Sequence, residues 1–408
     1  MARKLARLAL VPLALLCVGI MRLLHRWGIV TIRIGSFYPP RMAPRIGHTA
    51  MNTECYLCER DAGMHPEKAF DIWTWRGPSP NETHKRMLWE QMLIDPTRFA
   101  GLVHVCNTLF EGWQTHVAAS TQMDRDIYNL LEHQKPHLRL RHRDDVRACK
   151  EFKKWGVPWG AKFVCLIVRD AAYLPTYTYH NYRDCDVDAY ADAALWLAEQ
   201  GYYVFRMGAK VAKPFAASHP RIFDYATNGM RSDFMDVYLG AKCLFTISTS
   251  TGWDAIPQVF RKPICYTNFP QFEYLPTWQH RSLAIWKHHE KDGRRMSIAE
   301  IIESKIGHAM RVSDFEAAGI SLRENTPQEI QAVVQEMVEW VEGRWCPAEQ
   351  TDFWERYPRS QSAYDGQPLH GKMRLRIGAS FLAEAESVQK QEDIGGDSGA
   401  RRLEARTA

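Results

Sequence analysis

At 408 residues the chain is long enough for two domains of roughly 100–200 residues each, and a composition 46% hydrophobic and 24% charged gives it the apolar content for folded cores, which excludes a disordered protein. The formal charge of +5, from 52 basic and 47 acidic residues, is mild. It lacks the dense basic stripe of a nucleic-acid reader, so no nucleic-acid partner is expected.

Arg3, Lys4 and Arg7 precede the apolar run Leu8–Met21, and Arg22 and Arg26 follow it. The run is shorter than the ~20 residues that span a bilayer. Residues 1–28 are therefore expected to form a basic, membrane-adhering helix on the cytoplasmic face, with a stretched spanning helix or a cleaved leader as alternatives. The ten cysteines are scattered, and Cys165, Cys243 and Cys265 sit in apolar runs, which indicates a reducing compartment.

Ile29–Ile34 reads as a strand, Tyr38–Pro44 as a proline-rich loop, and Arg45-Ile46-Gly47-His48 as the opening of a helix. This is a first β-α turn, to which Arg45 and Gly47 belong. His48 is the candidate general base, because neutral imidazole suits removal of a hydroxyl proton near pH 7; helix capping or phosphate binding are its other readings. Cys55-x-x-Cys58 lies inside the helix Ala50–Arg60 with no second pair of ligands, so a structural role is expected rather than zinc or redox chemistry. Phe70–Trp75 is a strand and Asn81–Leu93 a helix capped by Asn81. A short helix covers Ile127–Leu131, and the basic stretch His137–Arg147 begins a crossover. The Gly/Pro punctuation of Lys154–Gly160 then closes a domain of residues 29–155.

The second domain, 156–345, carries the strongest pattern. Lys162–Asp170 is an apolar strand ending in Arg169, Val187–Gln200 a helix, and Tyr202–Met207 a strand bearing Arg206 and followed by Gly208. Phe234–Ala241 is a helix capped at Ser232, with Asp236 in its first turn. Cys243–Ser248 is a strand, Trp253–Phe260 a helix, and Pro263–Thr267 the next strand. Between strand and helix lies Ser248-Thr249-Ser250-Thr251-Gly252, hydroxyl-rich and at a strand's carboxyl end, where open parallel sheets collect ligands. With Arg169 and Arg206 beside it, this turn makes a candidate diphosphate site; plain helix capping and surface ion pairing remain the other readings. The loop Tyr177–Asp184, including Arg183, offers groups to stack on a base or bind ribose. Asp184-Cys185-Asp186-Val187-Asp188 holds two D-x-D triplets, but aspartates ahead of a helix cap it, and no metal or cofactor is expected. Tyr266–Trp278 is a loop. Ser297–Ser304 and the amphipathic stretch Thr326–Trp345 are helices, and residues 346–408 are expected to be a partly disordered extension.

The runs RIGHTAMNTECYLCERDAG (45–63), Val168-Arg169-Asp170, Arg206-Met207-Gly208 and DVYLGAKCLFTISTSTGWDAIPQVFRKP resemble a family of bacterial glycosyltransferases from surface-polysaccharide loci, over roughly Ile29–Trp345. The resemblance implies an α/β fold of two Rossmann-like domains facing a cleft, the GT-B architecture, with acceptor domain first and nucleotide-sugar domain second. The family's arginine-asparagine element is replaced here by Asn181-Tyr182-Arg183. The resulting expectation is a metal-independent glycosyltransferase. It would move a sugar from a nucleotide-sugar donor, held by Arg169, Arg183, Arg206, Gly208 and Ser248–Gly252, to a glycan or lipid-linked acceptor at the inner membrane. A sugar-nucleotide epimerase or hydrolase, or a non-catalytic assembly factor, are the alternatives.

Overall fold

The computed structural model describes residues 8–37, 45–75, 77–122, 124–172, 175–362 and 366–388. The chain divides into two compact units, Met1–His142 with Val259–Arg261, and Arg143–Gln258 with Lys262–Ala408. Both are α/β with parallel sheets.

In the first unit, β1 (Thr31–Ser36), β2 (Ala69–Thr74), β3 (Ile94–Asp95) and β4 (Val117–Ala118) form one sheet in the order β3-β2-β1-β4, every pairing parallel. The strand order therefore reverses at β1, and the carboxyl ends of β1 and β4 lie side by side. Arg33 of β1 stands in register with Asp71 of β2 and grips its carboxylate with two 2.7 Å hydrogen bonds, from Nε and from a terminal nitrogen. Tyr56 donates to the same carboxylate. Such a forked, nearly buried pair ties the two strands together, and removing one partner of a pair like it costs about 3–5 kcal/mol.

The N-terminal helix Val11–Arg26 is not a separate appendage. Its Ala14, Val18 and Met21 are buried with Ala100, Val103 and Cys106 of the helix Phe99–Asn107 and with Ile34 of β1. Among the described residues no helix is long and apolar enough to cross a membrane. The basic residues 3, 4 and 7 and the proline-rich loop 38–44 lie outside the described residues. The helix expected from Arg45 onward spans Ile46–Asp61 and is buried from Thr49 to Glu59 except at Asn52. That expected over Asn81–Leu93 ends at Trp89, with Asn81 capping as its side chain accepts from His84 N.

The second unit contains β5 (Phe163–Ile167), β6 (Tyr203–Met207), β7 (Ile222–Phe223), β8 (Thr246–Ser248), β9 (Ile264–Phe269), β10 (Leu283–Trp286), β11 (His288–Lys291), β12 (Arg294–Arg295), β13 (Ile320–Arg323) and β14 (Arg376–Ile377). Seven of these make a wholly parallel sheet in the order β14-β10-β9-β8-β5-β6-β7, and β12-β11-β13 form a small antiparallel one. β5, β9 and β10 are buried at every residue, as strands covered on both faces must be. The basic helix His142–Lys154 belongs to this unit and not the first, because Phe152 packs its ring on Phe163, Phe205 and Tyr238. Two further expectations need correction. The strand expected from Cys243 is confined to Thr246–Ser248, and the helix expected from Trp253 opens as a 3-10 turn, Gly252–Asp254, before the helix Ala255–Val259.

The described part of the extension, residues 346–362 and 366–388, contributes to the core. β14 adds to the sheet edge beside β10, and Phe353, Trp354, Tyr357, Leu375, Ile377 and Phe381 are buried in the main cluster. The polar composition of this stretch hid an apolar spacing that packs on β10 and on Phe272; residues 363–365 and 389–408 lie outside the described residues.

The helix Pro327–Val341 opens with a capping box between Thr326 and Glu329, and Glu329 also accepts from the buried His288 of β11 at 3.0 Å. Burial opposes ionisation of Glu329, but the His288 hydrogen bond and the Thr326 N–H outweigh it and hold the carboxyl at about 2, against an ordinary 4.5. A carboxylate depressed in the folded state contributes stability that is complete above its unfolded value and is lost as pH falls through the folded one. Urea unfolding across pH 4.5 to 2 should therefore show a steep loss in the native protein that Glu329→Gln flattens; parallel curves would count against the pairing.

Candidate functional site

Two connections leave the second unit's sheet in opposite directions at β5 and β8, and ligands of such sheets bind at the carboxyl ends flanking that reversal. The segment after β5 delivers Arg169 there, and the segment after β8 delivers the turn Thr249–Gly252. They are stitched together: Arg169 N donates to Thr249 Oγ1 at 2.9 Å, and Thr249 N donates to Ile167 O. Arg183, at the end of the 3-10 segment Thr178–Arg183, donates to Ser250 O at 2.6 Å. One guanidinium, that of Arg183, thus rests against the hydroxyl-rich turn, while Arg169 is tied to it by its backbone N–H and turns its own guanidinium to Asp184 at 3.2 Å. Ser250 itself holds φ at +65°, a left-handed conformation that costs a non-glycine residue about 1–3 kcal/mol and often marks functional turns.

Asp254 fixes the turn. Its buried carboxylate accepts from Ser248 Oγ at 2.7 Å, Thr251 N at 2.9 Å and Thr251 Oγ1 at 3.0 Å. Burial pushes this carboxyl up to about 6 against the pull of those donors. The hydroxyls of Ser248, Thr249 and Thr251 are therefore engaged within the protein, whereas the Ser250 side chain makes no hydrogen bond to another described residue. Beside β5 and β6 opens a cavity of about 400 Å³ lined by Val168, Asp170, Cys185, Asp186, Val187, Ala212 and Lys213, within the span of small-molecule sites.

Arg206 does not join this group, which corrects the expectation of a pair of strand-end arginines. It lies inside β6 in register with Leu166, is 0% exposed, and pairs with Asp224 at 3.1 Å. Gly208 is needed for packing: a Cβ there would meet Val211 at 2.5 Å. The D-x-D carboxylates are matched by protein cations, Asp184 by Arg169 at 3.2 Å, and Asp186 and Asp188 by Lys213 at 2.7 and 2.6 Å. Asp236 is buried under Tyr225 and Arg231 and is pushed up to about 6 by that burial.

In the first unit His48 occupies the first turn of Ile46–Asp61, next to Gly47 and preceded by the cap position Arg45. It is one-quarter exposed, and Asp124 of the loop after β4 approaches its Nδ1 at 3.2 Å. Nothing in the sequence spacing pointed to Asp124. The C-x-x-C motif is likewise different from its expected isolation, because Glu54 and His137 meet Cys58, offering ligand atoms within 4.8 Å of one another. The Arg261 guanidinium fills that cluster, 2.7 Å from Glu54 and 3.6 Å from the Cys58 sulfur.

No protein-family model and no curated protein matches the sequence. Solved structures do resemble the chain. A glycosyl transferase family 9 protein of Veillonella parvula is similar at 10% identity and TM-score 0.44, over 76% of this chain and 97% of its own. The ADP-heptose lps heptosyltransferase II of E. coli is similar at 13% identity and TM-score 0.40, over 76% and 99%. A UDP-GlcNAc 2-epimerase of Neisseria meningitidis is similar at 10% identity and TM-score 0.29, over 76% and 99%.

Because Asp254 satisfies three donors, Asp254→Ala should lower unfolding free energy by about 1.5–3 kcal/mol, the scale of hydrogen bonds to a charged group. Denaturant titration reads this directly. An unchanged midpoint would show that the turn does not depend on the carboxylate.

Proposed function

We propose that the chain is a glycosyltransferase of GT-B type that moves a sugar from a nucleotide-sugar donor to the hydroxyl of a glycan or lipid-linked acceptor in bacterial surface-polysaccharide synthesis. One observation carries the reading: the Arg183 guanidinium is held against the Ser248–Gly252 turn at the strand-order reversal of the second unit, and the backbone of Arg169 is tied to the same turn. Guanidinium binds phosphate oxygens with forked geometry, and charge placed there stabilises a departing diphosphate. The cavity beside Val168 and Lys213 receives the nucleoside. When the anomeric carbon–oxygen bond breaks, its electron pair leaves with the diphosphate. The acceptor oxygen forms the new bond and gives up its proton to a base, the role proposed for His48. No metal ion is assigned a part, since arginines supply the positive charge.

Residues 1–28 add a membrane surface to the reading. Opposite the packed face of Val11–Arg26, the side chains Leu13, Leu16, Ile20, Leu23 and Trp27 form a stripe 43–64% exposed. The first acidic residue of the chain is Glu54, so the helix itself carries only neutral and basic side chains. A helix of this kind lies in the interface of an anionic bilayer, here on the cytoplasmic side.

Thermal shift against a panel of nucleoside diphosphates and their sugars in EDTA should reveal a stabilising ligand, and Arg183→Ala should weaken its binding roughly tenfold to a hundredfold. Strict dependence on Mn²⁺ or Mg²⁺ would overturn the metal-free reading, and donor consumption without acceptor would favour an epimerase or hydrolase. In flotation, the protein should rise with vesicles containing anionic lipid, and Leu16→Glu with Leu23→Glu should leave it at the bottom. Equal flotation of that variant would remove the stripe from the membrane contact.

A further inference from the structure

We infer that Asp124 is a positioning residue for His48: its carboxylate takes the Nδ1–H of the imidazole and so presents Nε2, unprotonated, as the proton acceptor. The inference rests on the reading of His48 as the acceptor's base. It starts from topology. In the first unit β1 and β4 are adjacent and parallel at the reversal of strand order, so the helix after β1 and the loop after β4 emerge side by side. His48 comes from the one and Asp124 from the other, 3.2 Å apart at Nδ1 and Oδ2. Nδ1 of His48 is buried and makes no hydrogen bond of good geometry to a described residue. The Asp124 carboxylate stands within reach of it, but off the line of the ring N–H.

The loop that carries Asp124 is fastened on both sides of it. Before it, the carboxylate of Glu59 accepts from Ser120 Oγ and from Thr121 N and Oγ1 at 2.9–3.1 Å. After it, Asp126 accepts from Leu130 N and Leu131 N, both at 2.8 Å. Supporting bonds of this kind set a side chain's aim to within the tolerance that catalysis needs. Partial burial works against a charge on Asp124, yet the neighbouring His48 and Arg125 hold its carboxyl below the ordinary range. Asp124 is then an anion near neutral pH. It stays ionised when Nε2 takes the hydroxyl proton, and it stabilises the imidazolium that forms.

The test needs no substrate. With ¹⁵N-labelled histidine in the full chain, long-range ¹H–¹⁵N spectra report the tautomer of each imidazole, and His48→Gln identifies the His48 signals. The expected result is the Nδ1–H tautomer for His48 in the native protein and in Asp124→Glu, which keeps a carboxylate. Asp124→Asn should convert it to the Nε2–H form. An Nε2–H tautomer in the native protein, or a His48 spectrum indifferent to Asp124→Asn, overturns the inference. With any donor that the protein turns over, Asp124→Asn should also lower kcat by about 10²-fold or more while leaving the donor KM in place; a fall in donor binding with unchanged kcat would equally overturn it. Failure of sugar transfer with every donor would remove the proposed activity without touching the tautomer result, so the two failures are told apart.

Discussion

Parallel strands whose connections leave in opposite directions cannot both have their carboxyl ends covered by the chain that joins them, and each unit of this protein contains one such pair. Crossovers between parallel strands are right-handed, so a chain that builds outward from a central strand in one direction and then in the other leaves an open crevice at the point of return. In the second unit that point lies between β5 and β8, and in the first between β1 and β4. The residues that look chemically active gather at those two places: Arg169, Arg183 and the hydroxyl turn in one, His48 and Asp124 in the other.

An open crevice exposes loops whose polar groups need partners, and buried carboxylates supply them. Asp254 closes the Ser248–Thr251 turn, Glu59 and Asp126 hold the loop around Asp124, and Asp170 accepts from Ala172 N and Ala212 N beside the cavity. Each carboxylate gathers N–H or O–H donors that would otherwise cost free energy when removed from water. The same device shapes the loops and limits which hydroxyls are left for a ligand. That is why the Ser/Thr turn offers fewer free groups than its composition suggests.

Arg169 and Arg206 illustrate how a small displacement along a strand changes a residue's fate. Both stand near the carboxyl end of a strand, in similar apolar runs. Arg169 lies beyond the last paired residue of β5 and keeps a partly exposed guanidinium near Asp184, whereas Arg206 lies inside β6 and is sealed against Asp224. Hydrophobic spacing marks the approximate strand, but the hydrogen-bonded end that separates the two cases depends on the neighbouring strand. Arg183, on a loop with no periodicity, reaches the turn only because the chain folds back over β8.

By itself the sequence determined the alternation of strands and helices, the caps at Asn81, Ser297 and Thr326, and the polar turn at Ser248–Gly252, because these follow from spacing and residue chemistry within a few positions. It also carried the signal for Asp254, since Thr251-x-x-Asp254 is a capping-box pattern. Tertiary structure alone decided the strand order, the burial of Arg206, the approach of Asp124 to His48, the insertion of Arg261 beside Glu54 and Cys58, and the use of residues near 376 as a sheet strand. Each of those joins residues far apart in the chain. Their meeting is set by which strand edges pair and which apolar faces bury one another, and no local pattern encodes that choice.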